Sequence, residues 1–313
     1  MALKLALVGL GKIARDQHLP AIEATPGARL AAIASRNAGL DGLPSYATIE
    51  DLLAAEPEID AVTLCTPPEG RFGQAMAALG AGKHVMLEKP PGATLAEVEA
   101  LRRAAEAAGL TVFATWHSRE AAAVAPARRW LAEREVRSAR IIWREDVRQW
   151  HPGQAWIWEP GGLGVFDPGI NALSIATAIL PGPLAAIRSA LYFPANRATP
   201  IAAEVDMVMA GGIPVTMELD WRQTGPQSWD ILVETDRGSL RLSKGGAELA
   251  IDGGAPVAEP DEEYRRLYAR FVELIAAGRS DVDLSPLMLV ADAFMIGRRH
   301  EVEAFHDAAE DRS

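Results

Sequence analysis

The chain has a single cysteine, Cys65, so no internal disulfide can form. It stands in an apolar run and reads as a buried small hydrophobe in a cytoplasmic protein. No apolar run approaches the ~20 residues a membrane helix needs, so no membrane is expected as a partner. The opening Met1-Ala2-Leu3-Lys4-Leu5-Ala6-Leu7-Val8-Gly9 has too short an apolar stretch, and no cleavage pattern, for a secretion signal. Positive charge is scarce: 31 Lys and Arg stand against 42 Asp and Glu, a net charge of −11. That is the wrong sign for a nucleic-acid binder. Lysine is scarcer still. Only Lys4, Lys12, Lys83, Lys89 and Lys244 occur, and arginine is used almost everywhere else. Arginine stays protonated, so chemistry that needs a titrating amine must draw on these five. Lys4, Lys83 and Lys244 read as surface positions. Lys12 and Lys89 fall inside motifs.

What is present is enough for two cores. The 313 residues are 49% apolar, with no low-complexity tract, which excludes a disordered or fibrous chain. Residues 1–118 alternate strand and helix, with strands at Lys4–Val8, Arg29–Ser35, Ala61–Cys65, His84–Leu87 and Thr111–Thr115. The first helix is expected over Ile13–Ala24, with Pro20 inside it. Thr94-Leu95-Ala96-Glu97 reads as a capping box for a helix that stops at Gly109. Apolar strands alternating with helices mean a parallel sheet covered on both faces. The pattern changes near 120. A strand over 138–147 is followed by a Trp-, Pro- and Gly-rich loop to 168 and a helix over about 168–180. Four strand-like stretches and a hairpin follow, then helices near 261–277 and 284–304. In Val215–Trp221 apolar residues alternate cleanly, the pattern of a sheet with one buried face. The expected class is α/β: a Rossmann dinucleotide-binding domain (1–120) and an α+β domain with a large, mainly antiparallel open sheet (121–313).

Gly9-Leu10-Gly11-Lys12-Ile13-Ala14 is a G-x-G-x-x-A fingerprint placed where a strand turns into a helix. Gly9 permits the turn and Gly11 lets a pyrophosphate approach the backbone, with Lys12 and Ile13 beside it. The second strand runs out through Ser35-Arg36-Asn37, where a free ribose 2′-hydroxyl would call for Asp or Glu. A hydroxyl and a guanidinium suit a 2′-phosphate instead, so NADP is expected over NAD. Thr66-Pro67-Pro68 and Glu88-Lys89-Pro90 follow the third and fourth strands, at the carboxyl ends where such sheets bind ligands.

These motifs, together with Gly82-Lys83-His84-Val85-Met86-Leu87 and Gly161-Gly162-Leu163-Gly164-Val165-Phe166-Asp167-Pro168-Gly169-Ile170-Asn171, resemble the glucose–fructose oxidoreductase / inositol dehydrogenase / MocA (Gfo/Idh/MocA) family. The resemblance covers nearly the whole chain. Within the family it most resembles the bacterial aldose 1-dehydrogenases that act on L-arabinose and D-galactose. The Trp-His-Pro-Gly-Gln and Trp-Ile-Trp-Glu-Pro-Gly-Gly segments between Trp143 and Asn171 suggest that branch. By resemblance, Lys89 contacts nicotinamide ribose and a substrate hydroxyl. A lysine beside a cationic nicotinamide has its ammonium form disfavoured and can take a proton. The second family motif usually ends in a His that acts as acid/base. Here that position is Asn171, which cannot shuttle a proton at neutral pH. Either Lys89 or Asp167 handles the proton while Asn171 orients the hydroxyl, or the acidic anomeric hydroxyl of a sugar needs less help, or catalysis has been lost. Pro168 suits the first position of a helix and Asp167 its N-cap.

His117, Glu145, Trp150, His151 and Trp229 complete the candidate substrate ligands, with Glu145 favoured as the substrate carboxylate by resemblance. Indole faces suit the C–H face of a sugar, while carboxylates and imidazoles suit its hydroxyls. Trp143 and Trp221 are expected in the core. No paired metal-ligand spacing occurs, so no metal is expected. The resemblance implies an aldose 1-dehydrogenase that passes hydride from sugar C1 to nicotinamide and yields the aldono-lactone. Its rivals are a dehydrogenase of another polyol, such as an inositol or dihydrodiol, and a non-catalytic NADP-dependent sensor. By resemblance a homodimer or homotetramer is expected, paired through the open sheet face.

Overall fold

The computed structural model describes residues 2–36 and 39–306, which divide into two compact units. Unit 1 comprises residues 1–117 and 262–284, and unit 2 residues 118–261 and 285–313. A single cut at 120 does not give this division, because the helix Glu263–Ala276 belongs to the first unit.

Unit 1 holds six strands: β1 (Leu3–Val8), β2 (Ala28–Ala34), β3 (Ser45–Tyr46), β4 (Ala61–Leu64), β5 (His84–Leu87) and β6 (Val112–Ala114). They form one sheet in the order β3-β2-β1-β4-β5-β6, and every pairing is parallel. This is the doubly wound dinucleotide-binding order. Its inner strands are mostly apolar because both faces are covered, with Lys4, Arg29 and His84 near their starts and Thr63 the buried polar exception. Val8, Val62, Leu64 and Val85 pack one face, and Leu5, Leu7, Ile33 and Met86 the other. Tyr264, Leu267, Tyr268, Phe271 and Leu274 of the late helix cover the second face, at the helical spacing that puts them on one side. The first helix begins as a π turn, Ala14–His18, and continues as Leu19–Ala24. Leu19 N–H reaches the Ala14 carbonyl, so the chain passes Pro20, which has no N–H to give, without breaking. The capping box is formed: Thr94 Oγ1 accepts from Glu97 N–H at 3.2 Å, and Glu97 Oε2 accepts from Thr94 N–H at 3.3 Å.

Unit 2 carries β7 (Val136–Arg144), β8 (Leu184–Pro194), β9 (Ala202–Met209), β10 (Ile213–Asp220), β11 (Ser228–Thr235), β12 (Gly238–Ser243), β13 (Glu248–Ile251), β14 (Val257–Ala258) and β15 (Gly297–Val302). The order is β14-β13-β12-β11-β7-β10-β9-β8-β15. Pairing is antiparallel except between β7 and β10 and between β8 and β15. The helix Phe166–Ile179 packs against the sheet. A Cβ at Gly169 would come within 2.6 Å of Leu219 Cδ1, so only glycine lets the helix this close.

The end of the chain differs from the expected helix over 284–304. The helix Ser285–Met295 stops, and Gly297–Val302 pairs with β8 instead. Arg298-Arg299-His300-Glu301 offers no apolar face to bury. On β8 its side chains find aromatic partners: His300 stacks on Tyr192 with ring centroids 5.2 Å apart, and the Arg299 guanidinium lies 3.8 Å from the Phe193 ring centre. Cys65 is half-buried rather than buried. No helix among the described residues is long and apolar enough to cross a membrane.

Candidate active site

In unit 1 the carboxyl ends of β1, β4 and β5 carry the motifs expected to hold a cofactor. Gly9 has φ +91°, and a Cβ there would stand 2.8 Å from Thr66 Cγ2 and 2.9 Å from Thr66 N. The turn therefore sits directly on Thr66 and demands glycine. Above Gly11 the space is open, with nothing within 4 Å of where a Cβ would stand. That cradle fits a pyrophosphate against the start of the first helix. Lys12 is exposed and pairs with Asp16. Ile13 is exposed, Ser35 half-buried and Arg36 exposed. Asn37 lies outside the described residues.

The turns after β4 and β5 are stapled by Arg71, which is 2% exposed. Its guanidinium donates to the carbonyls of Thr66, Glu88 and Pro90. Thr66 Oγ1 donates to Gln74 Oε1 at 2.6 Å. Pro67 lies in the same turn. Glu88 is buried and accepts from the Lys89 backbone N–H, from the Tyr264 hydroxyl and, at 3.4 Å, from His18 Nε2. His18 Nδ1 lies 2.8 Å from the Tyr268 hydroxyl, which in turn reaches Thr63 Oγ1 at 3.4 Å. Burial alone would lower the pKa of His18. Cys65, Tyr268 and Glu88 outweigh it and hold the imidazole well above its ordinary value. Burial pushes the Glu88 carboxyl upward, but the His18 bond and charge, with His117 and Tyr264, hold it far below the carboxylate range. His18 and Glu88 thus pair in the buried interior, one residue before Lys89 in the chain. His117 also lies in unit 1. Its Nδ1 is 2.7 Å from Glu263 Oε2, and its ring stacks on Tyr264 at 5.3 Å.

Unit 2 gathers the remaining candidates where β7 and β10 end. Glu145 follows β7 and is 3% exposed. Oε1 accepts from Trp221 Nε1 at 3.3 Å and Oε2 from Trp229 Nε1 at 2.8 Å. His151 stands between two carboxylates: its Nε2 is 3.5 Å from Glu145 Oε1 and its Nδ1 is 3.8 Å from Asp167 Oδ2. Those distances are ion-pair reach rather than direct hydrogen bonds. Trp229 lies between Trp143, at 6.0 Å, and the more exposed Trp150, at 5.0 Å. Trp143 and Trp221 are in the core, as expected. Asp167 does not cap its helix. The helix starts at Phe166 with Val165 before it, so the buried Asp167 occupies the first turn and Pro168 follows it there. Gly164 has already turned the chain at φ +57°, so the helix begins before the proline. Asn171 lies one turn further and is half-buried. Among the described residues no group of three or more His, Cys, Asp or Glu could hold a metal ion.

Residues 3–115 match the model of an oxidoreductase family with an NAD-binding Rossmann fold, GFO_IDH_MocA. Galactose 1-dehydrogenase of Pseudomonas fluorescens is 46% identical over 306 residues, covering 97% of this chain and 99% of that one. The chain belongs to the Gfo/Idh/MocA oxidoreductase family. The crystal structure of a D-galactose-1-dehydrogenase protein from Rhizobium etli is 57% identical, covers 97% of this chain and 98% of its own, and superposes with a TM-score of 0.94. KijD10, a 3-ketoreductase from Actinomadura kijaniata crystallised with NADP, is 18% identical over 96% of this chain with a TM-score of 0.82, and shares the fold alone.

For this family member, sequence reasoning located the strand-end motifs but missed Arg71, His18, Tyr264 and Tyr268. One signal for Arg71 was available: an arginine directly after Pro67-Pro68-Glu69-Gly70, at the turn that follows β4. Tyr264 and Tyr268 carry no such signal, because their spacing is that of any buried helix face.

Proposed function

We propose that this protein is an NADP-preferring aldose 1-dehydrogenase, oxidising C1 of a pyranose such as D-galactose or L-arabinose to the aldono-lactone. The observation that carries the reading is the Glu145–His151–Asp167 cluster framed by Trp229 and Trp150, in a chain this similar to two galactose 1-dehydrogenases. Buried carboxylates accept from ring hydroxyls, the imidazole beside them donates to ring oxygens, and an indole face covers C–H bonds. In unit 1, Gly9, Gly11, Ser35, Arg36, Thr66, Pro67 and Glu88 form the nucleotide site. Bound nicotinamide supplies the hydride acceptor. Lys89 receives the proton that leaves the C1 hydroxyl. Asp167 assists it, and Asn171 holds that hydroxyl by its amide in place of the usual His. Glu145, His151, Trp150, Trp229 and His117 bind the other hydroxyls and the apolar face of the ring.

The test is reduced-nicotinamide absorbance with purified protein, a panel of aldoses and polyols, and either cofactor. Turnover of D-galactose or L-arabinose with NADP is expected. Tight NADP binding without turnover of any sugar would instead favour the sensor reading that Asn171 allows. Activity confined to an inositol would move the substrate class.

Cofactor choice is assigned to Ser35 and Arg36. Arg36→Asp replaces a partner of the 2′-phosphate by a charge that repels it and suits a 2′-hydroxyl. The NADP/NAD ratio of kcat/KM is expected to fall by about 10²-fold or more, ~2.7 kcal/mol. An unchanged ratio removes Arg36 from the assignment.

Phe305 offers a milder perturbation. Its N–H donates to Asn196 Oδ1 and its carbonyl accepts from Asn196 Nδ2, both at 2.9 Å, and its ring packs 5.5 Å from Trp158. Trp158 lies edge-on to Trp221, 5.1 Å away, and Trp221 holds Glu145. Phe305→Ala should raise the KM for sugar several-fold and leave the KM for NADP unchanged. Equal changes in both constants would argue against this chain of contacts.

A further inference from the structure

We propose that Tyr264 is a positioning residue for Lys89 and His117: its hydroxyl holds the Glu88 carboxylate that fixes the Lys89 backbone, and its ring seats the His117 imidazole. The inference rests on the proposed role of Lys89 as proton acceptor and names what places that group.

The helix Glu263–Ala276 joins unit 1 through one apolar face, and Tyr264 and Tyr268 lie on that face one turn apart. Phenylalanine would cover the sheet as well at lower cost. A buried hydroxyl must find a partner, and a buried carboxylate is costly unless several donors compensate it. Here the Tyr264 hydroxyl meets the carboxylate directly, and the Tyr268 hydroxyl meets it through His18. Glu88 is 4% exposed, His18 0% and Tyr264 6%. Tyr264 donates to Glu88 Oε1, and His18 Nε2 lies 3.4 Å from the same oxygen. Glu88 Oε2 remains for the Lys89 N–H. Burial and the Glu88 charge hold the Tyr264 hydroxyl well above its ordinary pKa, so it stays a donor.

The same side chain serves His117. The two rings stack at 5.3 Å with 19° between their planes, while the neighbouring Glu263 takes His117 Nδ1 at 2.7 Å. Two consecutive residues of one helix thus hold the face and the edge of that imidazole. Buried networks of this kind narrow a site to one arrangement when every member is satisfied. A site of this accuracy loses rate when its support loosens by a fraction of an ångström.

Tyr264→Phe keeps the ring and the stacking and removes only the hydroxyl. The expected result is a fall in kcat of about tenfold or more, with the KM for NADP and the melting temperature close to those of the parent. A second readout needs no substrate. Reductive methylation with 13C-formaldehyde labels the lysine amines, and five lysines give a spectrum in which Lys89 is assigned from Lys89→Arg. The Lys89 methyl signal should shift in Tyr264→Phe while those of Lys4, Lys83 and Lys244 stay in place. Parental kcat with an unmoved Lys89 signal overturns the proposal. Absence of sugar turnover in the parent would count against the proposed function, and the lysine spectrum would still decide the role of Tyr264. Should Tyr264→Phe not fold, Glu88→Gln carries the same spectral test: a shifted Lys89 signal supports the network and an unmoved one overturns it.

Discussion

Lys89→Ala should lower kcat by on the order of 10³-fold while NADP still binds with nearly parental affinity. The substitution removes the amine and leaves its mounting intact. Arg71 continues to hold the Glu88 and Pro90 carbonyls, and Glu88 continues to accept from the backbone N–H of residue 89. The Gly9–Thr66 contact that shapes the glycine turn is untouched. Binding and chemistry are therefore expected to separate. Loss of an interaction made only in the transition state lowers kcat and kcat/KM together. Calorimetric titration with NADP and steady-state rates with D-galactose measure the two sides. Near-parental turnover would move the proton to Asp167, and Asp167→Asn would then be the variant to lose it.

Glu145→Gln should cost about 10²-fold in kcat/KM for sugar, ~2.7 kcal/mol of transition-state stabilisation. Both Glu145 oxygens accept an indole N–H, from Trp221 on Oε1 and Trp229 on Oε2. An amide of the same shape has one acceptor oxygen. Its NH2 must face one of the two indoles, donor against donor, and it no longer attracts His151. A buried donor left without its partner costs ~1–3 kcal/mol, so the melting temperature should fall as well. Trp229 is the partner with more freedom to turn away, because it is only half-buried whereas Trp221 is in the core. Indole fluorescence should report that movement. Because Glu145 lies in unit 2, the KM for NADP should stay within about twofold of the parent. A fall in NADP affinity equal to that for sugar would remove Glu145 from the substrate site.

The parallel sheet was legible because its signals are local. A strand buried on both faces is written as a nearly continuous apolar run, as Ala61–Leu64 is but for Thr63, and a glycine turn into a helix has to be written as glycines. The capping box over Thr94–Glu97 was readable for the same reason: all its groups lie within one turn. Asp167 was misread as a cap because Pro168 also fits the first turn of a helix that starts one step earlier. The final helix was overextended because Gly297–Val302 becomes a strand only through pairing with β8, more than a hundred residues before it.

By itself, then, the sequence determined the class of fold, the glycine turn at Gly9 and Gly11, the strand-end position of Lys89, and the absence of the usual His at Asn171. Each of these depends on neighbours in the chain. Only the tertiary structure decided that the helix Glu263–Ala276 returns to the nucleotide-binding unit, that Tyr264 and His18 converge on Glu88, that Arg71 staples two turns, and that His151 stands between Glu145 and Asp167. In these the partners are distant in sequence. Their pairing is dictated by the need to satisfy buried polar groups, and no local pattern of residues encodes which donor will meet which acceptor.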